Sequence, residues 1–304
     1  MKQVAGLLAG AMLAATACSP SPPPPPAETP AAAPETTRAY EMPDSEVLRI
    51  DSPVIERSYE IFVRLPPGYG DAENAGRRYP VLYLNDAHYV FQTAAGVTSA
   101  PMRHGGLEPM IMAGVSYALG EGGAASRGRD LTPTENPAQT GHATGGARAF
   151  LSFMRDEVIP LVENTYRTDP ARRILAGQSY GGLFGAYALL NEPGLFHDYI
   201  LTSPSLWYGK GAMFDIEAEA AKAGPLSGRV FFAIGETETP AISGGSYDMV
   251  GDQKRFADLL RSRGHAALEV RDTVVEGGTH LTTFPIGLLR GLMWILPGPN
   301  PYGG

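Results

Sequence analysis

Cysteine is nearly absent: Cys18 is the single one in 304 residues. No intramolecular disulfide and no multi-cysteine metal site can form. A basic excess is missing too. Lys and Arg total 24 against 32 Asp and Glu, a net charge of −8 with a pI near 5.3. That balance excludes the basic stripe a nucleic-acid surface requires, so no nucleic-acid partner is expected. The chain shows no internal repeat and no linker marking a second folded domain. What it has is apolar material: 43% hydrophobic residues are enough for a substantial core in one large domain.

The one cysteine is informatively placed. The chain opens MKQVAGLLAGAMLAATAC, with Lys2 as a positive flank, Val4 to Ala14 as an apolar stretch, and small residues at its end. Such a run is too short for a mature transmembrane helix, which needs ~20 apolar residues, and has the form of an export signal. Ala15-Thr16-Ala17-Cys18 resembles a lipobox, in which the cysteine becomes the acylated N-terminus. Ordinary cleavage after Ala17 is the alternative. Several acyl chains would anchor the protein stably at a membrane. Residues 1–18 thus read as a signal, and 19–38, SPSPPPPPAETPAAAPETTR, as an extended proline-rich tether. The expected location is periplasmic or elsewhere in the cell envelope.

From residue 39 onward one globular domain is expected. Val47 to Asp51 and Arg57 to Leu65 alternate in hydrophobicity and predict an antiparallel entry pair. YPVLYLND (Tyr79 to Asp86) and PMIMAGVSY (Pro109 to Tyr117) are continuous apolar runs, as in strands buried on both faces. Phe150 to Tyr166 has helical spacing, with Pro160 imposing a kink. There follow strand RRILAG, helix GLFGAYALL, strands DYILTS and RVFFAIG, a helix over Tyr247 to Arg263, strand LEVRDTVVE and a helix over Phe284 to Leu296. Alternating strands and helices predict an α/β fold, a mostly parallel sheet covered on both faces. The Gly-, Ala- and Thr-rich stretch Ala118 to Gly146 reads as a surface excursion at the mouth of a site.

Within LAGQSYGGLFGAYALL (Leu175 to Leu190), Gly177-Gln178-Ser179-Tyr180-Gly181 fits G-x-S-x-G, the nucleophile elbow. The motif alone is weak. Its context, after an apolar strand and before an uncharged helix, makes it strong. At a sharp strand-to-helix turn the two backbones touch, so the positions flanking the serine have no room for a Cβ. The Tyr180 N–H then opens a helix and points to where a carbonyl oxygen would gain charge.

A serine hydroxyl needs a base. Of six histidines, His280 lies just beyond the last strand in EGGTHLTTF, where Gly277 and Gly278 allow the loop to bend back; it is the candidate base and acid. A carboxylate between serine and histidine in chain order should orient the imidazole. Glu238, three residues past Gly235, is favoured over Glu236, and Asp248 stands third. The second oxyanion donor should come from the loop after the third strand: the N–H of Ala87 or His88, with Asp86 bracing the loop. Arg127 and Arg129 are candidate contacts for an anionic substrate, or else structural partners of Asp130 and nearby acids. Trp207 and Tyr208 line an aromatic acyl pocket or fill the core beneath it.

These residues resemble the "Putative esterase" (esterase D-like) family of α/β-hydrolases, which includes feruloyl esterases, mycolyl transferases and siderophore esterases. The resemblance rests on IFVRLPPGYG, RRYPVLYLND, RGRDLTPT, GGARAFLSFMRDEVIPLVENTYRTD, LAGQSYGGLFGAYALL, LFHDYILTSPSLWY and GETE. It is nearest to the branch acting on enterobactin and salmochelin. Members usually carry Asp-Gly where this chain has Asp86-Ala87, and some siderophore esterases use a Ser–His pair without a placed acid. The resemblance implies an α/β-hydrolase fold and a serine esterase needing no metal or organic cofactor. Its partner would be a small-molecule ester, a siderophore or an aryl or acetyl sugar. Acyl transfer to a sugar or lipid alcohol and a non-catalytic binding role are the alternatives.

Overall fold

The computed structural model describes residues 40–136 and 141–300; the expected signal with Cys18 and the expected tether lie outside the described residues. The globular unit is Met42–Gly304. Eight strands form one sheet: β1 Ser45–Ser52, β2 Arg57–Arg64, β3 Tyr79–Leu84, β4 Ile111–Val115, β5 Thr168–Gln178, β6 Asp198–Thr202, β7 Ser227–Gly235 and β8 Ala267–Val275. Their order is β1-β2-β4-β3-β5-β6-β7-β8. β1 and β2 pair antiparallel, as expected, and β2 joins β4 antiparallel; β4 through β8 run parallel. β3, β4 and β6 are buried along their whole length, which explains their unbroken apolar sequences.

Helices cover both faces. On one lie α1 (Ala87–Arg103) and α8 (Thr283–Ile295), in a core shared with Leu82, Leu84, Ile174 and Ala176, where α8 sits on Ile200 and Ala233 of β6 and β7. On the other lie α3 (Ala147–Phe153), α4 (Ile159–Thr165), α5 (Tyr180–Asn191) and α7 (Met249–Ser262), in a core shared with Val81, Tyr83 and Leu175, where Phe256 of α7 meets Phe232 of β7. The alternation of Val81 and Tyr83 with Leu82 and Leu84 between the two cores is the period-two geometry of a strand. α5 is buried nearly all round, which accounts for its uncharged sequence.

The local breaks have local causes. Before Pro160 the chain relaxes through a π-turn, Met154–Val158, and proline then occupies the first turn of α4, where its missing N–H costs least. The expected excursion 118–146 contains a short helix, α2 (Gly123–Asp130). Two longer helices were not foreseen: α1, and α6 (Tyr208–Ala220), whose start is interrupted by left-handed Gly209, Lys210 and Gly211.

The topology fixes where a site can form. After β3 the chain adds β4 on one side, then crosses back to place β5 on the other. The connections at the carboxyl ends of β3 and β5 therefore diverge, leaving a crevice at this switch point. The β3–α1 corner and the β5–α5 corner both stand there.

Candidate active site

Ser179 sits between β5 and α5 with φ 61° and ψ −117°, a conformation costing about 1–3 kcal/mol that the packing around it must offset. The flanking glycines explain how the turn closes. A Cβ on Gly177 would lie 2.3 Å from the Gly181 carbonyl carbon, and one on Gly181 would lie 2.2 Å from Asn85 Oδ1. Asn85 also donates its Nδ2 to the Gly181 carbonyl at 3.2 Å, joining the β3–α1 corner to the serine turn. The Ser179 N–H donates to the Thr202 carbonyl at 3.0 Å, and its carbonyl accepts from Leu183 at 2.9 Å. The serine backbone is held from both directions.

Three strand ends contribute to one cleft of about 380 Å³. Ser179 comes from β5, Glu238 follows β7, and His280 follows β8; all three line it. Glu238 Oε2 accepts from His280 Nδ1 at 2.6 Å. Its other oxygen accepts from the Gly235 N–H at 2.8 Å, from Ser203 Oγ at 2.6 Å, and from Thr283 Oγ1 at 3.4 Å. Burial pushes the Glu238 carboxyl up, but bonds from His280, Ser203 and Gly235 outweigh it and hold it below the ordinary range. Gln178 Nε2 donates to the His280 carbonyl at 2.6 Å, so the residue beside the serine also holds the histidine's backbone.

The other carboxylates are engaged elsewhere. Glu236 is exposed and accepts the Gly277 N–H at 2.9 Å, bracing the start of the histidine loop. Asp248 caps α7, accepting the Gly251 N–H at 3.0 Å. The N–H of Tyr180 opens α5, and those of Ala87 and His88 open α1; the first N–H groups of a helix have no partner within it.

The remaining candidates divide. Trp207 lines the cleft and packs on Tyr247 with ring centroids 4.3 Å apart; Ile242 and Met249 extend this apolar wall. Tyr208 is fully buried and donates to the Thr134 carbonyl at 2.9 Å. Arg127 borders a second pocket, of about 350 Å³, with Tyr180, Tyr117 and His142. Arg129 is committed to Asp130 at 2.8 Å and to Glu121, the structural arrangement weighed for it. Among the described residues no cluster of three or more His, Cys, Asp or Glu is placed to hold a metal ion.

Sequence reasoning missed four supporting residues: Asn85, Gln178, Ser203 and Ser205. Ser205 is buried, lies 3.2 Å from Ser179 Oγ and lines the cleft. The SPSLWY segment was the available signal for the two serines, since a polar residue at a buried strand end needs a partner.

Residues 52–295 match the model of the "Putative esterase" family. The chain belongs to this family. The esterase is 27% identical over 281 residues to the ferri-bacillibactin esterase BesA of Bacillus subtilis, covering 88% of this chain and 94% of that protein. It is 33% identical over 248 residues to the siderophore triacetylfusarinine C esterase of Aspergillus fumigatus, covering 77% and 80%. Among solved structures it is similar to an IroE-like serine hydrolase from Shewanella oneidensis, with a TM-score of 0.71, 27% identity, and 82% and 78% of the two chains covered. The fold is also that of the BES protein from Bacillus cereus, with a TM-score of 0.73 at 24% identity, covering 87% and 99%. The esterase is thus a hydrolase of carboxylic esters on an α/β scaffold.

Proposed function

We propose that this enzyme is an exported serine esterase working through Ser179, His280 and Glu238 and a covalent acyl-enzyme. The observation that carries the reading is the 2.6 Å His280–Glu238 pair lining the same cleft as the serine at the strained turn. With Nδ1–H donated to Glu238, the imidazole keeps its Nε2 lone pair for the serine proton. Ser179 Oγ attacks the ester carbonyl as that proton passes to His280. The tetrahedral oxyanion forms against the N–H of Tyr180 and that of Ala87 or His88, aided by two helix N-termini. His280 then returns the proton to the leaving alcohol. Water, deprotonated by the same imidazole, releases the acid.

Two relatives named as siderophore esterases support a small-molecule siderophore ester as substrate. The apolar wall of Trp207, Tyr247, Ile242 and Met249 suits a flat aryl or short acyl group beside the scissile bond. Export and anchoring rest on the leader and on Cys18; incorporation of a clickable palmitate analogue that is lost in Cys18→Ser tests them. For the chemistry, purified enzyme and Ser179→Ala are compared on p-nitrophenyl acetate and then on a siderophore trilactone. Turnover by the parent and at most background by the variant is the expected result. Equal turnover rejects the reading.

A further inference from the structure

Arg127 has the look of an anion-binding side chain beside an esterase site, but its contacts say otherwise. Its Nε and Nη2 both reach Asp86 Oδ2, at 2.9 and 2.8 Å. The Asp86 side chain is fully buried, so a substrate anion would meet a guanidinium already paired with an inward-facing carboxylate. The same guanidinium stacks on the Tyr180 ring, its Cζ 5.0 Å from the centroid. One side chain therefore grips two residues from different corners. Asp86 directly precedes Ala87 and His88; Tyr180 directly follows Ser179.

Asp86 itself is unusual. It occupies the N-cap position of α1 with φ 63° and ψ 38°, left-handed for a non-glycine residue, and its carboxylate makes no cap bond to the helix. Aspartate before a helix ordinarily accepts an N–H of the first turn. Here the carboxylate is turned to Arg127 instead. Left-handed backbone costs a non-glycine residue about 1–2 kcal/mol, and the buried ion pair with Arg127, together with a hydrogen bond from the Tyr117 hydroxyl, fixes it.

Arg127 is also anchored from behind. It lies in the last turn of α2, and Asp130 at the end of that helix accepts from Tyr59 of β2 at 2.9 Å and from Ser126 at 3.1 Å. Arg129 pairs with both Asp130 and Glu121. The connection runs from the sheet through Tyr59 and Asp130 to α2, and from there through Arg127 to both corners.

We infer that Arg127 is a positioning residue that sets the relative placement of the two oxyanion donors by clamping Asp86 and Tyr180 together. This rests on the reading of Tyr180 and the Ala87–His88 corner as those donors. Charge on the substrate is then irrelevant to its role. Removing one oxyanion donor costs ~10²–10³ in kcat, and a displaced donor loses part of that.

The test uses the whole enzyme and two esters, p-nitrophenyl acetate (neutral) and mono-p-nitrophenyl succinate (anionic acyl group). Arg127→Met should lower kcat by about 30- to 100-fold on both, with KM shifted less than ~3-fold. Asp86→Asn should do the same, and the double variant should be no worse than either single one. Affinity for a trifluoromethyl ketone, which places an oxyanion in the site, should fall in step with kcat. Arg127→Lys, which keeps a cation for Asp86, should recover part of the loss and serves if the methionine variant folds poorly. A rise in KM confined to the succinate ester, with acetate turnover intact, would overturn the inference in favour of anion binding; so would additive effects in the double variant. Failure of the underlying reading is seen separately, as undiminished activity in Ser179→Ala.

Discussion

Replacing Glu238 with glutamine removes one charge while keeping the shape, and the structure fixes which way the new amide must face. Oε1 lies among donors: the Gly235 N–H at 2.8 Å, Ser203 Oγ at 2.6 Å and Thr283 Oγ1 at 3.4 Å. The backbone N–H cannot reverse its role, so the glutamine oxygen must take that position. Its NH₂ then faces His280 Nδ1, where the carboxylate accepted at 2.6 Å. That forces the imidazole to place its proton on Nε2, the nitrogen that in the proposed mechanism receives the Ser179 proton. The opposite amide orientation would set NH₂ against N–H, leaving a buried donor unsatisfied at about 1–3 kcal/mol. Losing the charge-assisted bond to the imidazolium adds roughly 1.5–3 kcal/mol. Together these amount to about 2.5–6 kcal/mol, or roughly 10²–10⁴ in kcat. The assay is steady-state turnover of p-nitrophenyl acetate at pH 8, beside Glu236→Gln. Glu236 is exposed and its side chain accepts from the Gly277 N–H at the start of the loop, so that variant should stay within about 3-fold of the parent. A Glu238→Gln enzyme within 10-fold of the parent, or a Glu236→Gln enzyme with the larger loss, would refute the reasoning.

Stability should carry the same signature. The folded state holds the Glu238 carboxyl below its ordinary value, so the ionised form stabilises the fold above the unfolded pKa of about 4.3 and is lost as pH falls through the lower folded value. Denaturant titrations between pH 6 and 3 should show the parent losing stability relative to Glu238→Gln below about pH 4.3; parallel curves would count against a depressed carboxyl. In Gly177→Ala the new methyl meets backbone 2.3 Å away, so the melting temperature should fall by several degrees, roughly 1–3 kcal/mol of overpacking, and an unchanged melt with full activity would contradict the described turn. Trp207→Ala should raise KM for a p-nitrophenyl aryl ester about 10-fold while acetate changes little, through loss of about 1.5 kcal/mol of apolar contact; equal effects on both esters would remove Trp207 from the acyl pocket.

Most of the sheet was legible because its order is written in local patterns. Continuous apolar runs mark strands buried on both faces, and the alternation at β2 marks the antiparallel entry. Glu238 could be favoured over Glu236 because its distance past Gly235 lets the chain turn inward once. α1 was illegible for a physical reason. It starts at a left-handed Asp86 without a cap bond, contains a glycine and Pro101, and is held by burial of Val90, Phe91 and Ala94 rather than by propensity. α6 was hidden similarly by three left-handed residues in its first turn. The supporting shell of Asn85, Gln178, Ser203 and Ser205 depends on which strand ends become neighbours, and spacing along the chain does not encode that. Arg127 shows the same limit: a cation near the mouth is visible in sequence, but the carboxylate that occupies it is not.

The central claim is that Ser179 carries the acyl group during turnover. Intact-protein mass spectrometry after reaction with a fluorophosphonate, followed by peptide mapping, tests it most directly. The expected result is a single adduct on Ser179, loss of p-nitrophenyl acetate turnover in proportion to labelling, and neither adduct nor turnover in Ser179→Ala. An adduct on another residue, or full turnover by enzyme labelled at Ser179, would contradict it.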